Sequence, residues 1–296
     1  MVLTSSIACE KVEFPSSSGN VIHGDLRFQN RVEGKPIVIV CHSFMAFKDW
    51  GFFPFIGENL AKVGYLSLTF NFSHNGVANN DLRITDLERF ERNTFSKELD
   101  DLRSVVDKVF KGELIVRASN RKKYYIDSNK IALFGHSRGG GIAIIHAASD
   151  KRVNALVTMS AIAAFDRWTV HQKENWRRDG YLPLARDTSK SPLRLGINLL
   201  NDLDLHCERL DLVRAAAEIR VPWLIVHGDA DVTVSTREAK ELYAAADKST
   251  TQLLLWEKVG HLYNAESPEI DNYGTLKKVL ETIIFWLNKI YMRNSS

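Results

Sequence analysis

The chain has 296 residues, 45% hydrophobic and 25% charged, a mix that suits a globular protein with a sizeable core. Its 39 Lys and Arg against 36 Asp and Glu leave a net charge of +3, too small to point to nucleic acid. Three cysteines without paired spacing (Cys9, Cys41 and Cys207) argue against a disulfide scaffold, and no apolar run nears the ~20 residues of a membrane helix.

Residues Lys11 to Phe28 alternate apolar and polar around Ser16-Ser17-Ser18-Gly19-Asn20, which predicts an antiparallel hairpin. Pro36 to Cys41 is a β-branched run of the kind found in strands covered on both faces, and it ends in the aromatic loop His42 to Trp50. A helix is expected around Phe55 to Val63, stopping at Gly64, and Tyr65 to Phe70 forms the next strand. Asn71 to Asn93 is polar and irregular. Helical spacing resumes at Phe95, Leu99, Leu102, Val105, Val106 and Val109, with Thr94 or Ser96 as cap. The cluster Arg121-Lys122-Lys123 is read as a solvated face.

Ile131 to Phe134 predicts a buried strand, and Ile142 to Ala148 a helix of small residues. Val153 to Ser160, Val221 to Gly228 and Thr251 to Trp256 are further strands. A helix carrying Ala239, Leu242, Tyr243 and Ala246 lies between the last two, and a closing helix covers about Tyr273 to Tyr291. Strand and helix alternate from residue 36 to 160, the rhythm of a mostly parallel sheet. Residues 162–216 break it, and their length suggests a small cap or lid inserted into one domain spanning 1–296.

Between the strand at Ile131 and its helix stands Gly135-His136-Ser137-Arg138-Gly139. A serine at the apex of a sharp strand-to-helix turn, with glycines where the two pass closely, fits a G-x-S-x-G nucleophile elbow. The pattern alone is weak, so the later strand ends carry the argument. One leads into His227-Gly228-Asp229-Ala230-Asp231 and the last into Val259-Gly260-His261. Ser137, Asp231 and His261 stand in the chain order of a Ser-Asp-His triad, each beyond a strand's carboxyl end, where open α/β sheets bind ligands.

On these residues the chain resembles the α/β-hydrolase superfamily, in its serine esterase and acylaminopeptidase-like branch, from about Asn20 to Trp286. The resemblance implies an α/β-hydrolase fold: a mostly parallel sheet flanked by helices with a small cap. Gly228, Asp231 and Val234 match the family's Gly-x-x-Asp-x-x-Val pattern, which selects Asp231 over Asp229, and Gly260-His261 matches its Gly-His pair. It also implies an oxyanion hole made by the backbone N–H groups of Arg138 and Phe44, the latter in His42-Ser43-Phe44, where Ser43 stands in place of the usual glycine. Ser137 would attack an acyl carbonyl, with His261 as base and Asp231 orienting it.

The function expected is cleavage of carboxylic esters with small to medium acyl groups, with Phe44, Phe47, Trp168, Trp176 and Tyr181 as candidate walls. Alternatives are a thioesterase, an aminoacyl or acyl-peptide peptidase reading a terminal charge through Arg177, Arg178 or Arg186, and, from another class, a non-catalytic hydrolase-fold receptor. His42, His136 and His227 are read as orienting groups and His74 as a solvated loop residue. No cluster has metal-ligand spacing and no phosphate loop is present, so neither metal nor cofactor is expected. The partner expected is a small-molecule ester, not nucleic acid or membrane, with a homodimer left open. The N-terminus has no basic region followed by an apolar core, and a cytoplasmic location is expected.

Overall fold

A computed structural model describes residues 6–29, 34–78, 81–117, 123–125, 129–184, 193–265 and 273–291. Eight strands form one sheet: β1 (Ala8–Pro15), β2 (Val21–Phe28), β3 (Ile37–Cys41), β4 (Leu66–Phe70), β7 (Ile131–His136), β8 (Val153–Met159), β11 (Trp223–Gly228) and β12 (Thr251–Trp256). Their order is β1-β2-β4-β3-β7-β8-β11-β12. The β1–β2 hairpin is antiparallel and joins β4 antiparallel; every other neighbouring pair is parallel. Two short antiparallel ladders stand apart, β5 (Ile115–Arg117) with β6 (Lys123–Tyr125), and β9 (Tyr181–Pro183) with β10 (Arg194–Gly196).

Side chains of successive strand residues point to opposite faces, so a continuous apolar run fills two cores. Ile37, Ile39, Ile131, Leu133, Leu156 and Ile225 join one buried cluster. Helices α3 (Phe95–Phe110), α4 (Arg138–Ser149), α7 (Leu212–Glu218) and α8 (Thr236–Ala245) cover that face. Val38, Val40, Ala132, Phe134, Ala155, Val157, Leu224 and Val226 face the other cluster, under α1 (Phe53–Lys62) and α9 (Gly274–Tyr291). Helix α1 starts two residues before the expected Phe55 because Pro54 suits a first helical turn. Thr94 is the cap of α3, accepting a hydrogen bond from the Lys97 N–H. The irregular stretch after β4 contains the single-turn helix α2 (Leu87–Glu91).

Two features place the site. From β3 the chain moves outward to β4, whereas from β7 it moves the other way through β8 and β11, so the order reverses between β3 and β7. A crevice opens beyond the strand ends at such a switch point. Residues 162–216 include helices α5 (Val170–Asp179) and α6 (Ile197–Leu205) and the β9–β10 hairpin. The segment's last helix, α7, packs instead on α4 and α8 against the sheet. The cluster Arg121-Lys122-Lys123 lies mostly outside the described residues.

Leu133 is fully buried in the centre of the sheet. Leu133→Ala is expected to lower unfolding free energy by 2–5 kcal/mol in urea titrations, the range for large-to-small core changes; a loss under ~1 kcal/mol would contradict the packing described.

Candidate active site

Ser137 caps the N-terminus of α4 with φ 54° and ψ −121°. A non-glycine residue in this region carries ~1–3 kcal/mol of strain and persists only where the surroundings over-determine it. Here the Ser137 N–H donates to the Met159 carbonyl (2.9 Å), and the Ser137 carbonyl accepts from the N–H groups of Gly140 (3.0 Å) and Gly141 (3.2 Å). The glycines are steric requirements. A Cβ on Gly135 would lie 2.5 Å from the Gly139 carbonyl oxygen, and one on Gly139 would lie 2.5 Å from the Cys41 carbonyl and strike that of His42. The first turn of α4 therefore crosses the end of β3 in backbone contact, which sets Ser137 beside the loop that begins at His42.

That loop is held by His42. Its Nδ1–H donates to the Ser43 carbonyl (2.9 Å) and its Nε2 accepts from the Phe72 N–H (3.2 Å). Burial pushes the His42 ring down to about 4, so it stays neutral with a fixed tautomer. Ser43 is not among the residues with positive φ; the left-handed position falls at Met45, φ 58°. Serine in place of the family's glycine at 43 therefore costs no backbone strain.

The candidate acid and base, Asp231 and His261, come from the loops after β11 and β12. His261 Nδ1 lies 2.8 Å from Asp231 Oδ2. Asp231 Oδ1 accepts from the N–H groups of Thr233 (2.9 Å) and Val234 (2.8 Å). Burial alone would raise the Asp231 carboxyl, but hydrogen bonds from His227, His261 and the Val234 backbone hold it well below the usual carboxylate range. The Gly-x-x-Asp-x-x-Val spacing acquires a cause: a Cβ on Gly228 would strike the Val259 carbonyl, so glycine lets the histidine loop close on the acid loop, and Val234 supplies a buried N–H. Asp229 is instead a turn former, accepting from the Lys258 N–H.

Two buried histidines brace this pair. His136 Nε2–H donates to the His261 carbonyl (3.0 Å), and His227 Nε2–H to the Val234 carbonyl (2.9 Å). Burial, and then the nearby His261, push His136 down to about 3. His74 departs from expectation: it is 5% exposed and hydrogen-bonded to Ser73 Oγ (2.8 Å), because the loop after β4 folds inward over α3.

Ser137 and His261 line one cavity of about 730 Å³ together with Phe44 and Arg138. Among the described residues no hydrogen bond joins Ser137 Oγ to His261; without substrate such catalytic contacts are commonly long and tighten in the reacting complex. Of the expected walls, Phe44 and Trp168 line the cavity. Trp176 is fully buried behind Trp168, in edge contact at 5.1 Å, while Phe47 is buried in the protein and Tyr181 lies outside the lining. Trp50, Phe95, Ile162, Phe165 and Leu184 are among the other apolar wall residues. Arg177 and Arg178 pair with Asp204 and Asp179 away from the cavity, and Arg186 lies outside the described residues. The cationic group at the rim is Arg167, already bonded to Glu238 (2.6 Å).

One pair escaped the sequence reading. The Arg138 guanidinium pairs with Glu98: Nε–H donates to Oε2 (3.0 Å), Nη2 lies 2.9 Å from Oε1 as an ion-pair contact, and both residues are buried. A signal was present: Glu98 occupies the apolar stripe of α3, three residues after Phe95 and four before Leu102.

With this geometry established, the relatives can be placed. The chain matches the BD-FAE family over residues 91–246, more than half its length, and it belongs to that family of α/β-hydrolase-type domains. Membership supports a hydrolytic function. A curated relative is an uncharacterized 31.7 kDa protein in the traX-finO intergenic region of Escherichia coli, 22% identical over 249 residues, 74% of this chain and 80% of that one. DcsB, solved in complex with its substrate analogue, has TM-score 0.71 at 18% identity, covering 96% of this chain and 100% of its own. The α/β hydrolase GrgF from Penicillium sp. sh18 gives 0.68 at 18%, covering 96% and 99%. Est1E from Butyrivibrio proteoclasticus gives 0.65 at 18%, again covering 96% and 99%. At these identities the structures establish the α/β-hydrolase fold. No helix among the described residues is long and apolar enough to cross a membrane.

The buried neutral histidines predict an acid sensitivity. His42 and His74 are pushed to about 4 and His136 to about 3, from an ordinary value of 6.5, in each case mainly by burial. Below pH ~6.5 the unfolded chain takes up protons that the folded one refuses, so this stability is full above that pH and is lost as the pH falls towards the folded values. Asp101, raised to about 6 by burial, works in the opposite direction and offsets part of it. The urea midpoint should therefore be lower at pH 4.5 than at pH 7; an equal or higher midpoint would contradict neutral burial.

Proposed function

We propose that the protein is a serine hydrolase that cleaves carboxylic esters of small to medium acyl groups through an acyl-enzyme. The observation that carries the reading is the 2.8 Å contact between His261 Nδ1 and a carboxylate, Asp231, that is held ionised. A proton on Nδ1 leaves Nε2 as the acceptor, and His261 shares its cavity with the strained Ser137. In the proposed cycle Ser137 Oγ attacks the ester carbonyl as His261 Nε2 takes its proton. The carbonyl oxygen becomes an oxyanion bound by the N–H groups of Arg138 and Phe44. Collapse expels the alkoxide, which receives that proton from His261. Water activated by the same imidazole then attacks the acyl-enzyme, releasing the acid and restoring Ser137.

The cavity supports an ester rather than a peptide. Its volume lies within the range for small-ligand sites, and its walls are aromatic and aliphatic, as suits an uncharged acyl group. Of the arginines considered for a peptide terminus, Arg177 and Arg178 are engaged elsewhere, and Arg167 at the cavity is already paired with Glu238. Est1E has been solved with ferulic acid bound. An acyl group that is flat and aromatic would suit the walls Phe44, Phe95, Phe165 and Trp168.

Ser137→Ala is expected to lower kcat on a p-nitrophenyl ester by ~10⁴-fold or more, and Asp231→Asn by about 10⁴-fold, since the amide no longer fixes the productive tautomer. Steady-state assays of the purified variants check both. Full activity in Ser137→Ala would overturn the mechanism. Faster turnover of aminoacyl anilides than of esters would favour the peptidase reading.

A further inference from the structure

We propose that the buried Arg138–Glu98 pair positions the oxyanion hole: the Arg138 guanidinium, paired with Glu98 and stacked on Phe44, holds the Phe44 amide in register with the Arg138 amide. The inference rests on the serine-hydrolase reading and adds to it a role for two side chains.

Burying two charges is expensive, and apolar residues of similar volume are often as stable or more so, so stability alone gives little reason for such a pair. This one adjoins the reacting groups: Arg138 follows Ser137 directly, and its side chain lines the same cavity. Glu98 is itself oriented. Asn93 Nδ2 donates to its Oε1 (2.7 Å), and it lies in the first turn of α3, where the helix dipole favours a carboxylate. Nε–H donates to Glu98 Oε2 and Nη2 lies 2.9 Å from Oε1 as an ion-pair contact, so the carboxylate holds the guanidinium edge-on, a planar arrangement that a lysine ammonium does not reproduce.

The fixed guanidinium then meets two rings. Its Cζ lies 4.4 Å from the Phe95 ring centroid and 5.1 Å from that of Phe44, both within cation–π reach. Phe44 precedes the left-handed Met45, a strained position. Beside Phe44 the Ser43 carbonyl accepts both the Ala46 N–H (3.2 Å) and His42 Nδ1–H, and further along the Lys48 N–H donates to Asn71 Oδ1 (2.7 Å). These ties flank Phe44, and its own ring, which also packs 5.9 Å from Phe90, anchors that residue directly. One residue thus supplies one amide and, through its side chain, steadies the other. Arg138 and Glu98 act here as positioning residues that touch no reacting atom through their side chains.

The test compares Arg138→Met, Arg138→Lys and Phe44→Ala with the parent enzyme in three readouts: kcat, KM for a p-nitrophenyl ester, and inhibition by a trifluoromethyl ketone, whose adduct with the serine carries an oxyanion. Active-site titration normalises each to folded protein. A displaced donor should lower kcat 10- to 100-fold with KM within about threefold, somewhat less than outright removal of a donor. Affinity for the ketone should fall by the same factor. Lysine should not rescue, because its ammonium neither reproduces the planar pairing nor stacks. Phe44→Ala leaves the ion pair intact and should give the same pattern, which keeps the inference testable if Arg138→Met does not fold. Parent-like kcat and ketone affinity in the folded variants, with only a lower melting temperature, would overturn the inference, as would full rescue by lysine. Activity that survives Ser137→Ala would overturn the hydrolase reading on which it rests, a separate result from these.

Discussion

The site depends on one close crossing, that of the first turn of α4 over the end of β3. Gly139 makes it possible, since any side chain there would run into the carbonyls of Cys41 and His42. The crossing forces Ser137 into its strained conformation, with its hydroxyl clear of the sheet, and the Met159 carbonyl and the amides of Gly140 and Gly141 lock it there. Because β3 is the strand being crossed, the loop that leaves β3 must lie next to the serine. The neighbourhood of Ser137 and Phe44 is thus a consequence of backbone packing at the switch point of the sheet.

Around that crossing the buried polar groups sort into two kinds. His42 and His136 are kept neutral by burial, and each donates to a backbone carbonyl of a loop that bears a candidate catalytic group. They act as rigid donors, not as titrating groups. Asp231 is held well below the usual carboxylate range by several hydrogen bonds, whereas burial pushes the Glu98 carboxyl up and the adjacent Arg138 and Asn93 oppose that shift. The largely apolar cavity that Ser137, Arg138 and His261 line is a place where a charge developing on a bound group interacts strongly with nearby dipoles.

Much of the fold could be read from the residues because the strands are covered on both faces. Ile37 to Cys41 and Ile131 to Phe134 are apolar without a break, a pattern that only a sheet with two helical layers makes stable. The elbow glycines and the Gly-x-x-Asp-x-x-Val spacing were legible for a related reason: close backbone contacts leave glycine as the only residue that fits. What failed was whatever depends on which residues meet across the fold. Phe47, Trp168, Trp176 and Tyr181 are alike as aromatic residues, yet of these only Trp168 reaches the cavity. Phe95 and Phe165, read only as helix core or not at all, form its walls. His74 has no local signal of burial, since a polar, irregular stretch gives no periodicity from which its cover could be read. Glu98 did carry one, a carboxylate on an apolar helical stripe, and its partner is the residue next to the serine.

The proposed chemistry requires Ser137 to be a nucleophile activated by His261. Incubation with a fluorophosphonate, followed by mass spectrometry of the digested protein, tests it most directly. One phosphonyl adduct per chain is expected, on Ser137, forming at a rate that collapses in His261→Ala. A protein that hydrolyses esters yet acquires no adduct on Ser137, or acquires it equally fast without His261, would contradict it.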